Sequence, residues 1–263
     1  MTESLFWIHR DQVYAKELEI GFSTFSIGHL AWLLAIAVGC YLSGRLYRRL
    51  DERGKDNMRK ICALTILLLE AAKTIVLGLF HVNSIEFLPL HLCSVGGLAT
   101  VVYAMWPQAK NWLGQLFAYA FFPTALLAVV FPSTTMYPWW NFYCLHTFVF
   151  HALILAYFVW IFMSREVRPS YRGLLLSSVF MVLFSVPIYR INGAFGVNYM
   201  FIGARSDVGI LAMLWDKLTP AYGRIGFTIV LGCILFAVLH LFFLIYRLIG
   251  KLQDRAHHVR SFY

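Results

Sequence analysis

Seven stretches run almost without charge: 25–44, 61–82, 88–106, 112–131, 141–163, 173–190 and 226–248. Each is about as long as an α-helix must be to cross roughly 30 Å of hydrocarbon. In lipid every backbone N–H and C=O has to be bonded within the protein, so spans are helices or closed barrels. Barrel strands alternate apolar and polar residues, and these runs do not. The expected fold is therefore all-α and polytopic, a bundle of about seven transmembrane helices. Only 13% of the 263 residues are charged, about half the share in a soluble domain. That leaves no stretch for a soluble appendage and predicts a single transmembrane domain over 1–263.

The formal net charge is +9, but its placement speaks against a nucleic-acid partner. The basic residues crowd the ends of the apolar runs. The connections on one side, together with the C-terminal tail, hold 15 Lys and Arg; the other side holds 6. By the positive-inside rule the N-terminus lies outside and the C-terminus in the cytoplasm. The segment "MTESLFWIHRDQVYAKELEIGF" lacks a basic start followed by an apolar core, so it does not read as a signal peptide. Its mixture of aromatic and charged residues suits the interface. Cysteines 40, 62, 93, 144 and 233 form no CxxC pair, which argues against a disulfide framework.

Ionisable groups at membrane depth are costly and mark function by default. On the predicted topology His29, His81, His91, His146 and His151 converge in the outer half of the membrane, with Cys93 and Cys144. Arg190, Asn192, Asn198 and Tyr199 reach the same face from the sixth span and the connection after it. This predicts a polar chamber. Glu70 and Lys73 lie three apart on the second span and face the same way. They read as an internal ion pair, as part of a proton path, or as a carboxylate orienting a chamber histidine.

Metal ligation fits poorly. His91 and Cys93 point nearly opposite ways on a regular helix, and His146 and His151 diverge by about 140°. Neither HExxH nor paired CxxC occurs. No metal and no cofactor is expected, although bis-histidine haem ligation is left open. A cysteine nucleophile needs a base. For Cys93 the candidates are His151 and then His146, with His91, His29, Arg190, Asn192, Asn198 and Tyr199 as substrate-binding groups. Cys93 also reads as a small packing residue.

Four segments, "FSIGHL" (25–30), "LPLHLC" (88–93), "FVFHALI" (148–154) and "NYMFI" (198–202), appear together in this order. In order and spacing they resemble the bacterial YwaF-like integral membrane proteins, which belong with the vertebrate transmembrane-protein-164 family. The resemblance covers roughly 25–245. It implies a bacterial cytoplasmic-membrane protein and a phospholipid acyltransferase or transacylase. Cys93 would be its nucleophile and His151 its histidine; the partners would be a membrane phospholipid and a lysophospholipid. The vertebrate member's preference for polyunsaturated chains does not carry over, since many bacteria lack them. The competing expectation is a proton-coupled transporter of a small molecule or lipid, using the histidines and Glu70.

Overall fold

The computed structural model describes residues 5–79 and 84–260. His81 lies outside the described residues. The described chain is helical, with short turns. After a short α1 (Arg10–Ala15) come α2 (Ile27–Tyr47), α3 (Glu52–Leu79) and α4 (Leu92–Met105). Then follow α5 (Lys110–Leu116) and α6 (Phe122–Val130), α7 (Phe142–Met163), α8 (Tyr171–Phe195) and α9 (Gly209–Arg260). Six helical segments are long and apolar enough to cross a membrane, α5 and α6 counting as one. Large apolar side chains such as Leu34, Leu68, Ile75, Leu183 and Leu244 cover the outside of the bundle, as lipid contact requires.

Several boundaries differ from the sequence expectation, each for a local reason. α3 starts at Glu52 instead of near 61, because Asp51 caps it: its carboxylate accepts the Gly54 N–H at 2.8 Å. The pairs Lys55–Glu52 and Lys60–Asp56 then line its charged first turns. The span expected over 112–131 contains a π-helical turn at Phe117–Phe121. Pro123 follows and has no N–H to give, so the ladder widens just before it. α8 continues past 190 to Phe195 and ends on Gly196 in the left-handed conformation (φ 66°). The long connection expected over 191–225 is in fact largely helical. α9 begins at Gly209 and is broken at Gly223 (φ 63°, ψ −176°), a conformation open to glycine.

The departure that matters most concerns α4. The expected span 88–106 is a 14-residue helix, about 21 Å long and shorter than the hydrocarbon core. It ends at the face that carries 106–109, so its first residues lie within the bundle. Two glycines let it in. A Cβ on Gly96 would fall 2.8 Å from the Phe121 ring, and one on Gly97 2.9 Å from both Ile66 and Phe150. α4 is thus wedged between α3, the π-turn and α7, and "SVGGL" is the surface that permits it.

The two ends of the bundle are held differently. At the far end the buried Arg59 donates to Glu166 at 2.8 Å and to the Tyr47 hydroxyl at 2.5 Å, while that hydroxyl donates to Glu166 at 2.6 Å. This ties α2, α3 and the turn after α7 together. At the other end the N-terminal segment is clasped to the start of α7. The Asn141 amide donates to Leu5 and Ile8 carbonyls, and Arg10 pairs with Glu86 at 2.8 Å.

Two predictions follow from this packing. Gly97→Val drives two methyl groups into Ile66 and Phe150, and overpacking of this kind costs about 1–3 kcal/mol. The melting temperature in detergent should drop, and an unchanged one would contradict the packing. The second concerns His9, which caps α1. Burial, the largest influence, holds it below its ordinary 6.5, with Asp11 opposing. A histidine kept neutral on folding contributes stability above its unfolded pKa and loses it as pH falls through that value. Hydrogen-exchange protection of residues 5–15, corrected for the pH dependence of intrinsic exchange, should therefore fall as pH is lowered from about 7.5 to about 5.5, and unchanged protection would contradict it.

Candidate active site

The site is built around the first turn of α4. His91 is its N-cap residue but its side chain makes no capping bond. The imidazole Nδ1 instead accepts the Met200 N–H at 3.3 Å, and the ring packs on Tyr199 and Phe201, with centroids 5.2 and 5.6 Å away. Cys93 is the second residue of the helix. Its sulfur takes no hydrogen bond from any described side chain, and the amides of Cys93 and Ser94 lie beside it in the first turn. These amides belong to the first turn, where no carbonyl of the preceding turn exists to accept them. The helix dipole adds partial positive charge at the same point.

α7 supplies two histidines, and Asn141 starts it by accepting the Tyr143 N–H at 2.9 Å. His146 stacks on Phe150, rings 18° apart, and its Nε2 donates to the Leu69 carbonyl of α3 at 3.2 Å. In His151, Nδ1 donates to the Thr147 carbonyl at 2.6 Å. A carbonyl only accepts, so the proton sits on Nδ1 and the lone pair on Nε2. That Nε2 is buried and has no hydrogen-bond partner among the described residues. His151 is within electrostatic reach of both His91 and His146, and Lys73 is within reach of all three and of Cys93. Lys73 itself holds Glu70 at 2.5 Å.

Of the residues expected from sequence, Cys93, His91, His146, His151, Glu70 and Lys73 come together here. The others do different work. The buried His29 accepts the Phe25 N–H at 2.8 Å through Nδ1 and donates to the Val129 carbonyl at 2.8 Å through Nε2. Both ring nitrogens are spent bracing α2 against the end of α6. Asn192 is buried and holds Tyr199 at both its N–H and its carbonyl, each at 2.9 Å. Asn198 accepts the Gly203 and Ala204 amides. The Tyr199 hydroxyl donates to the Ile85 carbonyl. These three build the loop that covers His91. Arg190 is exposed on α8, whereas Arg224 lies 3.8 Å over the Tyr189 ring. Cys144 is fully buried beneath Thr134.

The covering loop carries strain. Met200 (φ 55°) and Phe201 (φ 59°) are consecutive non-glycine residues in the left-handed region, each costing on the order of 1–3 kcal/mol. The sequence reading left out both, although "NYMFI" contained them; nothing in composition signals a positive φ at Met or Phe. Among the described residues no group of His, Cys, Asp and Glu is arranged to hold a metal ion.

The TMEM164 family model matches residues 24–246. The chain belongs to that family. The match takes in every element of the site, from α2 through the first three quarters of α9. No curated protein matches the chain, and no solved structure does. The TMEM164 assignment bears out the relation expected from the four segments.

Because Asn192 fixes the loop through two hydrogen bonds worth about 1 kcal/mol each, Asn192→Leu should free it. Hydrogen exchange at Tyr199–Ile202 is expected to rise on the order of tenfold or more. Unchanged exchange would show that other contacts hold the loop.

Proposed function

We propose that the protein is a membrane phospholipid acyltransferase or transacylase. It moves a fatty acyl chain to a lysophospholipid through Cys93 and His151. The observation that carries this reading is that two groups inside the bundle, unspent among the described residues, lie within reach of the same Lys73. One is a thiol on an uncapped helix start. The other is a buried imidazole nitrogen whose lone pair has no partner. Helix N-termini and nearby cations are where thiols become nucleophiles, and an oriented imidazole is the usual base. Family membership supports the same reading.

The reaction runs in two halves. His151 Nε2 takes the Cys93 proton, and the sulfur attacks the ester carbonyl of a donor phospholipid. The Cys93 and Ser94 amides face the oxygen on which charge develops. Collapse breaks the ester C–O bond, the leaving lysolipid oxygen takes the proton from His151, and a thioester remains on Cys93. The hydroxyl of the acceptor lysolipid then gives its proton to His151 and attacks the thioester. The C–S bond breaks and the thiol is restored. The basic-residue count favours a site in the outer half of the membrane, with the C-terminus cytoplasmic. His146 and His91 flank His151 and shape the entry for the ester.

Purified protein in lipid nanodiscs, given an isotope-labelled phospholipid donor and a lysophospholipid acceptor, tests this by mass spectrometry. Wild type should transfer the label. Cys93→Ala and His151→Ala should each lose it by about a hundredfold or more, with melting temperatures near wild type. Transfer that survives Cys93→Ala would remove the nucleophile. No transfer from any donor would favour the transporter reading, in which a thiol has no task.

A further inference from the structure

Lys73 and Glu70 sit mid-bundle on α3, three residues apart, with side chains 20% and 10% exposed. An ion pair kept only for structure is worth its desolvation when every remaining lone pair is satisfied. This one is not. Glu70 Oε1 takes the Lys73 ammonium at 2.5 Å, while Oε2 is buried and has no hydrogen-bond partner among the described residues. The pair also stands at a particular place. α3 packs along α4, with Ile66 against Gly97 and the Leu69 carbonyl bonded to His146. One turn on, the pair therefore comes level with Cys93, and among the described residues both Lys73 and Glu70 lie within electrostatic reach of it. Among the described residues, His91, His146 and His151 also lie within electrostatic reach of Lys73.

We propose that the Glu70–Lys73 pair sets the charge of the Cys93 site. Lys73 supplies the positive field in which the thiol can ionise and in which the oxyanion forms. Glu70 is a positioning residue that anchors Lys73 and moderates that field. The inference rests on the reading of Cys93 as nucleophile. In chemical terms, the Cys93 proton leaves for His151, and the negative charge left on sulfur lies opposite a fixed cation. When sulfur bonds to the carbonyl carbon, the C=O electron pair moves to oxygen within the same field. It returns as the donor's C–O bond breaks. A cation placed this way needs no displacement during the reaction.

The test is alkylation of Cys93 by iodoacetamide, quantified for its own peptide by mass spectrometry in nanodiscs at about pH 8. It needs no acyl transfer. Lys73→Met should slow alkylation about tenfold, the effect of one nearby charge on a thiol. Lys73→Arg should stay within about threefold of wild type, since it keeps the charge. Glu70→Gln should speed alkylation several-fold. Opposite directions for Lys73→Met and Glu70→Gln are the signature of a field, because a structural pair would change accessibility the same way in both. Equal directions, or no change in either, overturn the proposal. If a single variant fails to fold, the double variant Glu70→Gln/Lys73→Met leaves no lone buried charge and should still be slower than wild type; a double variant as fast as wild type overturns the proposal too. A normal alkylation pattern without acyl transfer would retire the acyltransferase reading and leave the charge assignment standing.

Discussion

A helix that begins inside a membrane protein must find something for its first N–H groups to face. In this chain that helix is α4. Its 14 residues fall short of the bilayer, and its N-cap residue His91 turns its side chain away to the covering loop. The unsatisfied turn therefore faces Cys93 and the space around it. Much of the surrounding structure makes this start possible. Gly96 and Gly97 let the helix press against three neighbours. The loop held by Asn192 roofs it, and the clasped N-terminal segment closes the same end through Arg10 and Glu86.

The histidines show how one residue type is used in two ways. His29 has both nitrogens bound to backbone and braces two helices. His151 has one nitrogen bound and the other free in a buried place. Burying an unpaired polar atom costs about 1–3 kcal/mol, so the unspent His151 Nε2 is a feature the fold maintains at a cost. The left-handed Met200 and Phe201 are a second such cost at the same place.

Much of the fold was legible because lipid removes options. Apolar runs, short connections and clustered charge lead to a helical bundle with little ambiguity. The depth argument put Cys93, His91, His146 and His151 at one level, and in the structure all four lie within electrostatic reach of Lys73. Three things were not legible. The shortness of α4 depends on what the loop after α8 can satisfy, which no local pattern in "FLPLHLC" encodes. The Tyr47–Arg59–Glu166 cluster joins residues more than a hundred positions apart. Asn192, Asn198 and Tyr199 are polar groups at the right depth, yet their side chains bond to backbone: Asn192 to Tyr199, Asn198 to Gly203 and Ala204, and Tyr199 to Ile85. Depth places a side chain but says nothing of where its hydrogen bonds go.

The central claim is that Cys93 carries the acyl group. The direct measurement is intact and peptide mass spectrometry of protein quenched in acid during incubation with a labelled phospholipid donor and no acceptor. The account predicts an acyl mass on the peptide containing Cys93 that neutral hydroxylamine removes and that His151→Ala does not accumulate. Acyl transfer proceeding with no adduct on Cys93, or with the adduct on another residue, would contradict it.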